Sequence, residues 1–365
     1  MNAFLAGVAT VAAQEFRLRI RAGRWRWLLG AWFVTLAAFT VLVRLALGAT
    51  AGEAAVDNRP YGTPMYGSLM LLVLGMGMLV VPALTAQSVN GDRERGTLAT
   101  LQVTRLSAAQ IAVGKLAAAW GTSLVFLALT LPLVAWSVAE GGVPFGRLVV
   151  TMLVVALLLG VVCAIAQALS ALLARSTTSA VLSYLVVFAL TIGTLIVFGL
   201  AAALTTQPVT RTVRQPVYAE PSSPVLPPTV KPTPDGYQDY TYTTTESRTD
   251  RVWWLLAPNP FVVLADAAPA LPERRDPVTQ RRLPSGFDPL GEIGRGVRYL
   301  RAGPDLVETV ASDSPLAPAQ PEPPPPPVWP YGLVVDVLLG AGALLVTTRR
   351  LRTPVRTLPR GLRVA

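Results

Sequence analysis

Residues 90–101 read NGDRERGTLATL and set four consecutive charges, Asp92, Arg93, Glu94 and Arg95, between two long apolar runs. The run before them, 65–89, and the run after them, 108–138, each exceed the roughly 20 apolar residues that a helix needs to cross a bilayer core. The stretch therefore reads as the aqueous turn of a transmembrane hairpin. Its residues predict more than a plain turn. Asn90-Gly91 is suited to end the upstream helix, because Gly and Asn accept the left-handed cap conformation. Asp92 then caps a new short helix, on which Leu98 and Leu101 share an apolar side at i, i+3. Ser107 and Gln110 have the spacing of a capping box that opens the next span. A small helix with a charged and an apolar face suits a docking contact, whereas a few polar residues would suffice for a loop.

The apolar pattern repeats along the chain. Runs at 27–47, 65–89, 108–138, 148–173, 178–204 and 328–348 predict six transmembrane helices, with Pro132 kinking the third. Over 365 residues, 52% are hydrophobic and only 14% are charged, against about 25% charge in soluble domains. The expected fold is an all-α integral membrane protein. The net charge of +10 comes from arginines beside apolar runs. Membrane topology explains such a pattern, and no nucleic-acid partner is expected. Arg17, Arg19, Arg21, Arg24 and Arg26 precede the first span, Arg93, Arg95 and Arg105 follow the second, and residues 349–363 are again arginine-rich. The alternate short loops hold only Arg59 and Arg147. The positive-inside rule then puts both termini and segment 90–107 in the cytoplasm of a multi-pass plasma-membrane protein.

The expected organisation follows. Residues 1–26 form an amphipathic cytoplasmic or interfacial segment, either lying in the inner headgroup layer with Arg17, Arg21 and Arg24 on one face or serving as a plain basic flank. Residues 27–204 hold five spans, 328–348 the sixth, and 349–365 a basic cytoplasmic tail. Between them, 205–327 is a Pro-rich extracellular insertion with minor β structure. Alternation in VTRTVRQPVYAE and DYTYTTTESRT predicts a small antiparallel ribbon. WWLLAPNPFVVLADA predicts an interfacial helix capped by Asn259, with Pro260 at its first position and Trp253 and Trp254 as outer anchors.

Little chemistry is on offer. There is no histidine, and Cys163 is the only cysteine, so no catalytic residue, metal site or bound cofactor is expected. No GxxxxGK[ST] loop occurs; AQIAVGKL lacks its first Gly and final Ser/Thr. Intramembrane charge is confined to Arg44 near the outer end of the first span, Lys115 near the inner end of the third, and Asp336 in the outer third of the last. Lys115 is placed to snorkel to the interface. Asp336 is the one functional suspect, with a bland reading in which it pairs with Arg44 or reaches interfacial water.

These elements together resemble permeases of the type-2 ABC exporter family. The resemblance rests on DRERGTLATL (92–101), AAQIAVGK (108–115), the pre-span QEFRLRIRAGRWRW (14–27), APNPFVVLADA (257–267), and the order of six spans with a long outer insertion between the fifth and sixth. It implies a permease subunit that pairs with a second permease chain, as a homo- or heterodimer. It also implies docking of separate P-loop ATPase subunits that carry ATP and Mg. Arg93, Glu94, Arg95, Gly96, Thr97, Leu98 and Leu101 would then form the coupling surface, with Glu94 and Arg95 as polar contacts and Leu98 and Leu101 as apolar ones. Two other classes fit the residues alone: an ion-coupled carrier using Asp336, and a membrane scaffold or sensor using the outer insertion.

Overall fold

The computed structural model describes residues 2–21, 24–50, 61–94, 96, 106–217, 236–272, 287–303, 309–311 and 325–352. Its six helical spans, each long and apolar enough to cross a membrane, are Trp25–Ala49, Gly62–Glu94, Ala108–Ala139, Phe145–Leu172, Ser176–Leu204 and Trp329–Leu351. All six sequence expectations are met within a few residues. The reason is elementary: a backbone in hydrocarbon must satisfy its polar groups internally, so a long apolar run has one local solution.

Helix α1 (Asn2–Arg21) precedes the spans, and α2 (Arg24–Thr50) forms the first. The second span comprises α3 (Gly62–Thr85) and, after a turn, the short α4 (Asn90–Glu94). The third is broken as Pro132 predicts: α5 (Ala108–Leu129) and α6 (Leu131–Ala139) meet at Thr130, whose hydroxyl donates to Leu127 O at 2.6 Å. Span four is α7 (Phe145–Leu172). Span five is α8 (Ser176–Phe188), a π turn at Ala189–Gly193, and α9 (Thr194–Leu204). Span six is α12 (Trp329–Leu351).

The core lies between α3, α5 and α7. Leu69, Met70, Val73 and Leu74 of α3 meet Val155, Leu158 and Leu159 of α7, with Phe126 of α5 edge-on to Trp25 and Trp32 of α2. Glycine sets the spacing at the start of α3. A Cβ on Gly62 would stand 2.1 Å from Ser137 O and 2.2 Å from Gly141 O, both backbone atoms. We expect Gly62→Ala to cost about 2–3 kcal/mol, towards the upper end of overpacking penalties. Unfolding in mild detergent measures it, and a cost below about 0.5 kcal/mol would show that the two backbones separate freely.

After α9 the chain enters the predicted ribbon. β1 (Thr206–Val217) pairs antiparallel with β2 (Gly236–Ser247), from Thr206 opposite Ser247 to Val217 opposite Gly236. A third strand that the sequence reading did not foresee, β3 (Thr309–Ala311), adds in parallel to β1, giving the order β2-β1-β3. Beyond β2, the Arg248 side chain donates to both carboxylate oxygens of Asp250, at 2.8 and 2.7 Å. Those bonds hold the Asp250 carboxyl below the usual carboxylate range.

Helix α10 (Pro260–Ala267) starts where predicted. The Asn259 side chain accepts from Phe261 N and Val262 N, and Pro260 occupies the first position. The expectation of an interfacial helix is corrected, however: Val262, Val263, Leu264, Ala265, Asp266 and Ala267 are all buried. With so few polar atoms on its surface, the helix inserts against α7 and α12 and becomes part of the core. The Asn259 amide also donates to Thr191 O at 2.7 Å, in the π turn of span five, and to Thr194 Oγ1 at 2.9 Å, at the start of α9. Helix α11 (Pro289–Ala302) was not foreseen. It buries Leu290, Gly294 and Val297 and leaves Arg295 and Tyr299 exposed. Residues 218–235, 273–286, 304–308 and 312–324 of the Pro-rich insertion, and the basic tail from 353, lie outside the described residues.

Candidate functional site

The site begins at the turn between the second and third spans. The predicted left-handed ending at Asn90-Gly91 does not occur. Residues 90–94 are helical, and the left-handed residue is Gly96, with φ of 70°. The acceptor that opens α4 comes from another helix. Ser170 Oγ of α7 receives Val89 N and Asn90 N, each at 3.1 Å. With those donors satisfied from outside, Asp92 is freed from capping, and it lies buried within α4. Ser179 of α8 fixes the same turn by donating to Ala86 O at 3.0 Å. The capping box at Ser107 and Gln110 is present as expected: Gln110 N donates to Ser107 Oγ at 3.2 Å and Ser107 N to Gln110 Oε1 at 2.7 Å.

Lys115 does not snorkel. Its side chain is 1% exposed and its ammonium bridges Glu15 of α1 and Asp92 of α4, while also donating to Ser88 O at 3.0 Å. The long stem that could reach water instead reaches two carboxylates, because α1 lies along α5 and excludes solvent. Val11 packs onto Gly114, and Gln110 donates to Ala3 O at 3.1 Å. Further along the pair, Arg19 donates to Thr122 Oγ1 at 3.0 Å and Ala118 O at 3.3 Å. Arg17 stays exposed with Phe4, Leu5 and Leu18, and the Arg21 and Arg24 side chains of the predicted polar face lie outside the described residues. One cation thus joins three elements: α1, α4 and the entry of span three.

The predicted coupling residues divide. Arg93 donates to Leu173 O and Asn90 Oδ1, both at 3.3 Å, where α7 ends. Glu94 is exposed and accepts from Ser176 N at 3.3 Å, where α8 begins. A cation at a helix C-terminus and an anion at a helix N-terminus are the favourable placements for the peptide dipoles. Segment α4 is thereby fastened to spans four and five as well. Arg95, Thr97, Leu98 and Leu101 lie outside the described residues.

At the opposite end of the bundle, buried charges hold α10 and α11. Arg147, 2% exposed at the start of α7, donates to both oxygens of Asp288 at 2.7 and 2.9 Å and to Pro269 O at 3.1 Å. Asp266 of α10 accepts from Arg298 of α11, and its second oxygen receives Val328 N at 2.6 Å and Trp329 N at 2.7 Å. Arg301 stacks between Trp253 and Tyr331, 4.6 and 4.9 Å from their ring centres. Arg44 does not meet Asp336. It pairs with Glu140 at 2.9 Å and lies 4.4 Å over Tyr61. Asp336 is buried, and neither carboxyl oxygen has a hydrogen-bond partner among the described residues.

The sequence reading missed the partners more than the residues. Lys115 and Asp92 were noticed singly, but Glu15 stands 100 positions from Lys115. The available signal was a lone acidic residue in an otherwise basic N-terminal stretch.

Six apolar spans define a multi-pass integral membrane protein. The sequence profile described as ABC-2 family transporter protein matches residues 9–273, most of the chain, and the chain belongs to that family. No curated protein gives a significant match to it.

Proposed function

We propose that this chain is the permease subunit of an ATP-driven ABC exporter, lining the substrate path and receiving force from a separate P-loop ATPase. Two permease chains and two ATPase subunits make the working unit, with ATP and Mg bound on the ATPases. The arginine distribution supports cytoplasmic termini and a cytoplasmic segment 90–107.

One observation carries the reading: α4, short and near the end of a span, is buried at its root and fastened to α1, span three and the span four–five junction. A loop that only reversed the chain would need none of these bonds. A segment that takes a push from another subunit needs all of them, since displacement of α4 must move several helices together. In this reading Arg95, Thr97, Leu98 and Leu101, next in the sequence, supply the surface offered to the ATPase. Glu94, exposed beside them, contributes a polar contact, and Gly96 makes the turn.

The test is co-purification. Glu94→Lys and Leu98→Asp should each reduce the recovered ATPase about tenfold or more, equivalent to about 1.4 kcal/mol. Span insertion should be unaffected, because both positions fall in the charged stretch between two long apolar runs. Retention of the ATPase at wild-type levels by both variants would remove this segment from the coupling role.

A further inference from the structure

Asp336 lies in the middle of a close helix contact. One turn to either side on α12, glycines admit the neighbouring elements. A Cβ on Gly332 would stand 1.9 Å from Ala257 O and 2.6 Å from a methyl of Val263, and one on Gly340 would stand 3.3 Å from a methyl of Val161. Between those contacts the Asp336 side chain is 1% exposed, and both its oxygens are shielded from solvent. Replacing such a carboxyl by an apolar side chain of similar volume is commonly neutral or stabilising. Packing alone therefore gives no reason for an acid here.

Nor does a counter-charge. Helix α12 packs against α5, α7 and α10. On α5 the charged group is Lys115, which Glu15 and Asp92 occupy. On α7 it is Arg147, occupied by Asp288, and the Cys163 thiol sits against the Ser123 hydroxyl at 3.7 Å. On α10 it is Asp266, occupied by Arg298 and two backbone N–H groups. On α12 itself, Tyr331 lies under Arg301 at the start of the helix. Arg349 and Arg350 lie towards its other end, about 20 Å along the axis at the helical rise. The cations of these elements are either paired elsewhere or about 20 Å from Asp336 along the helix axis.

An ionised carboxylate without partner or water is untenable in such a place, whereas the neutral acid is tolerated. We propose that Asp336 is a proton-binding site: its carboxyl carries a proton while α12 is packed on α7 and α10, and yields it to water when those faces part. The O–H bond breaks, the proton passes to water, and the carboxylate remains on the opened face. Closure reverses the transfer. Opening of the bundle is then pH-dependent in a fixed sense: alkaline conditions favour separation of α12, and acidic conditions favour the packed arrangement. This inference does not depend on the ATPase reading.

The test uses the full chain in lipid nanodiscs, read by infrared absorption at about pH 6, where water-exposed carboxyls are ionised. Wild type should show a carboxylic C=O stretch that Asp336→Asn and Asp336→Leu both lack, with helical content equal in all three. Asp336→Asn preserves shape and polarity, so it guards against a misfolded comparison. On transfer to D2O the band should shift slowly, at the rate of local opening. Coincident wild-type and Asp336→Asn spectra would mean that the carboxyl is ionised in the packed state and would overturn the proposal. An immediate shift in D2O would overturn it too, by showing that the group already exchanges with water.

Discussion

Lys115→Met is expected to lower the unfolding free energy by about 3–5 kcal/mol, the cost of removing one partner from a buried ion pair. The substitution keeps most of the stem volume and deletes the ammonium. Glu15 and Asp92, with side chains only 18% and 12% exposed, are then left facing one another without the cation between them. Ser88 O also loses its donor. Neutralising the carboxylates in the same chain, with Glu15→Gln and Asp92→Asn, should recover most of the loss, because the penalty belongs to the uncompensated charges. Unfolding in mild detergent, followed by tryptophan fluorescence, gives the number. Amide exchange in α1 should rise in parallel, since α1 is held to α5 through this point. A loss below about 1 kcal/mol, typical of exposed pairs, would show that the cluster is wet and that α1 is held by apolar packing alone.

Asp266→Ala is the second large effect expected, again about 3–5 kcal/mol. The side chain has no exposed surface and binds two elements at once: α11 through Arg298, and the start of α12 through Val328 N and Trp329 N. Alanine leaves both amides without their acceptor and the guanidinium without its counter-charge, with only the residue 266 carbonyl still accepting from it. Asp266→Asn, which retains one acceptor oxygen, should lose about 1.5–3 kcal/mol, the range for hydrogen bonds to a charged group. Hydrogen exchange locates the damage: protection should fall at residues 328–332 and in α11, with α3 and α5 unaffected. Unchanged protection at the start of α12 would show that Asp266 does not hold the last span in place.

The parts legible in the sequence are those decided by composition over a window. Span positions depend on apolar length, the break at Thr130 on the missing N–H and ring of Pro132, and the caps at Ser107 and Asn259 on neighbours two or three residues away. Illegible were features decided by residues distant in sequence. Lys115 looks like a snorkelling lysine until α1 is seen to cover it, and Asn90-Gly91 looks like a helix end until Ser170 of another helix supplies the acceptor. Helix α10 carries interfacial flanks, yet its own eight residues are apolar enough to be drawn into the core. Helix α11 escaped notice because its buried positions, Leu290, Gly294 and Val297, are too few and one is glycine. Of the coupling residues, Glu94 and Arg93 are seen bonded to the ends of spans four and five, which no local pattern could announce.

The double use of Asn259 has a mechanical consequence. Its side-chain oxygen starts α10, while its amide holds the carbonyl of Thr191 inside the π turn. A π turn accommodates one residue more than an α turn. Expelling that residue would rotate α9 by about 100° and slide it about 1.5 Å along its axis. Leu195, Ile196, Val197 and Leu200, all outward-facing, would sweep to a new bearing with it. Asn259 cannot follow without surrendering the amides of Phe261 and Val262. The small buried helix therefore works as a detent on span five, setting the bearing of α9 relative to α8.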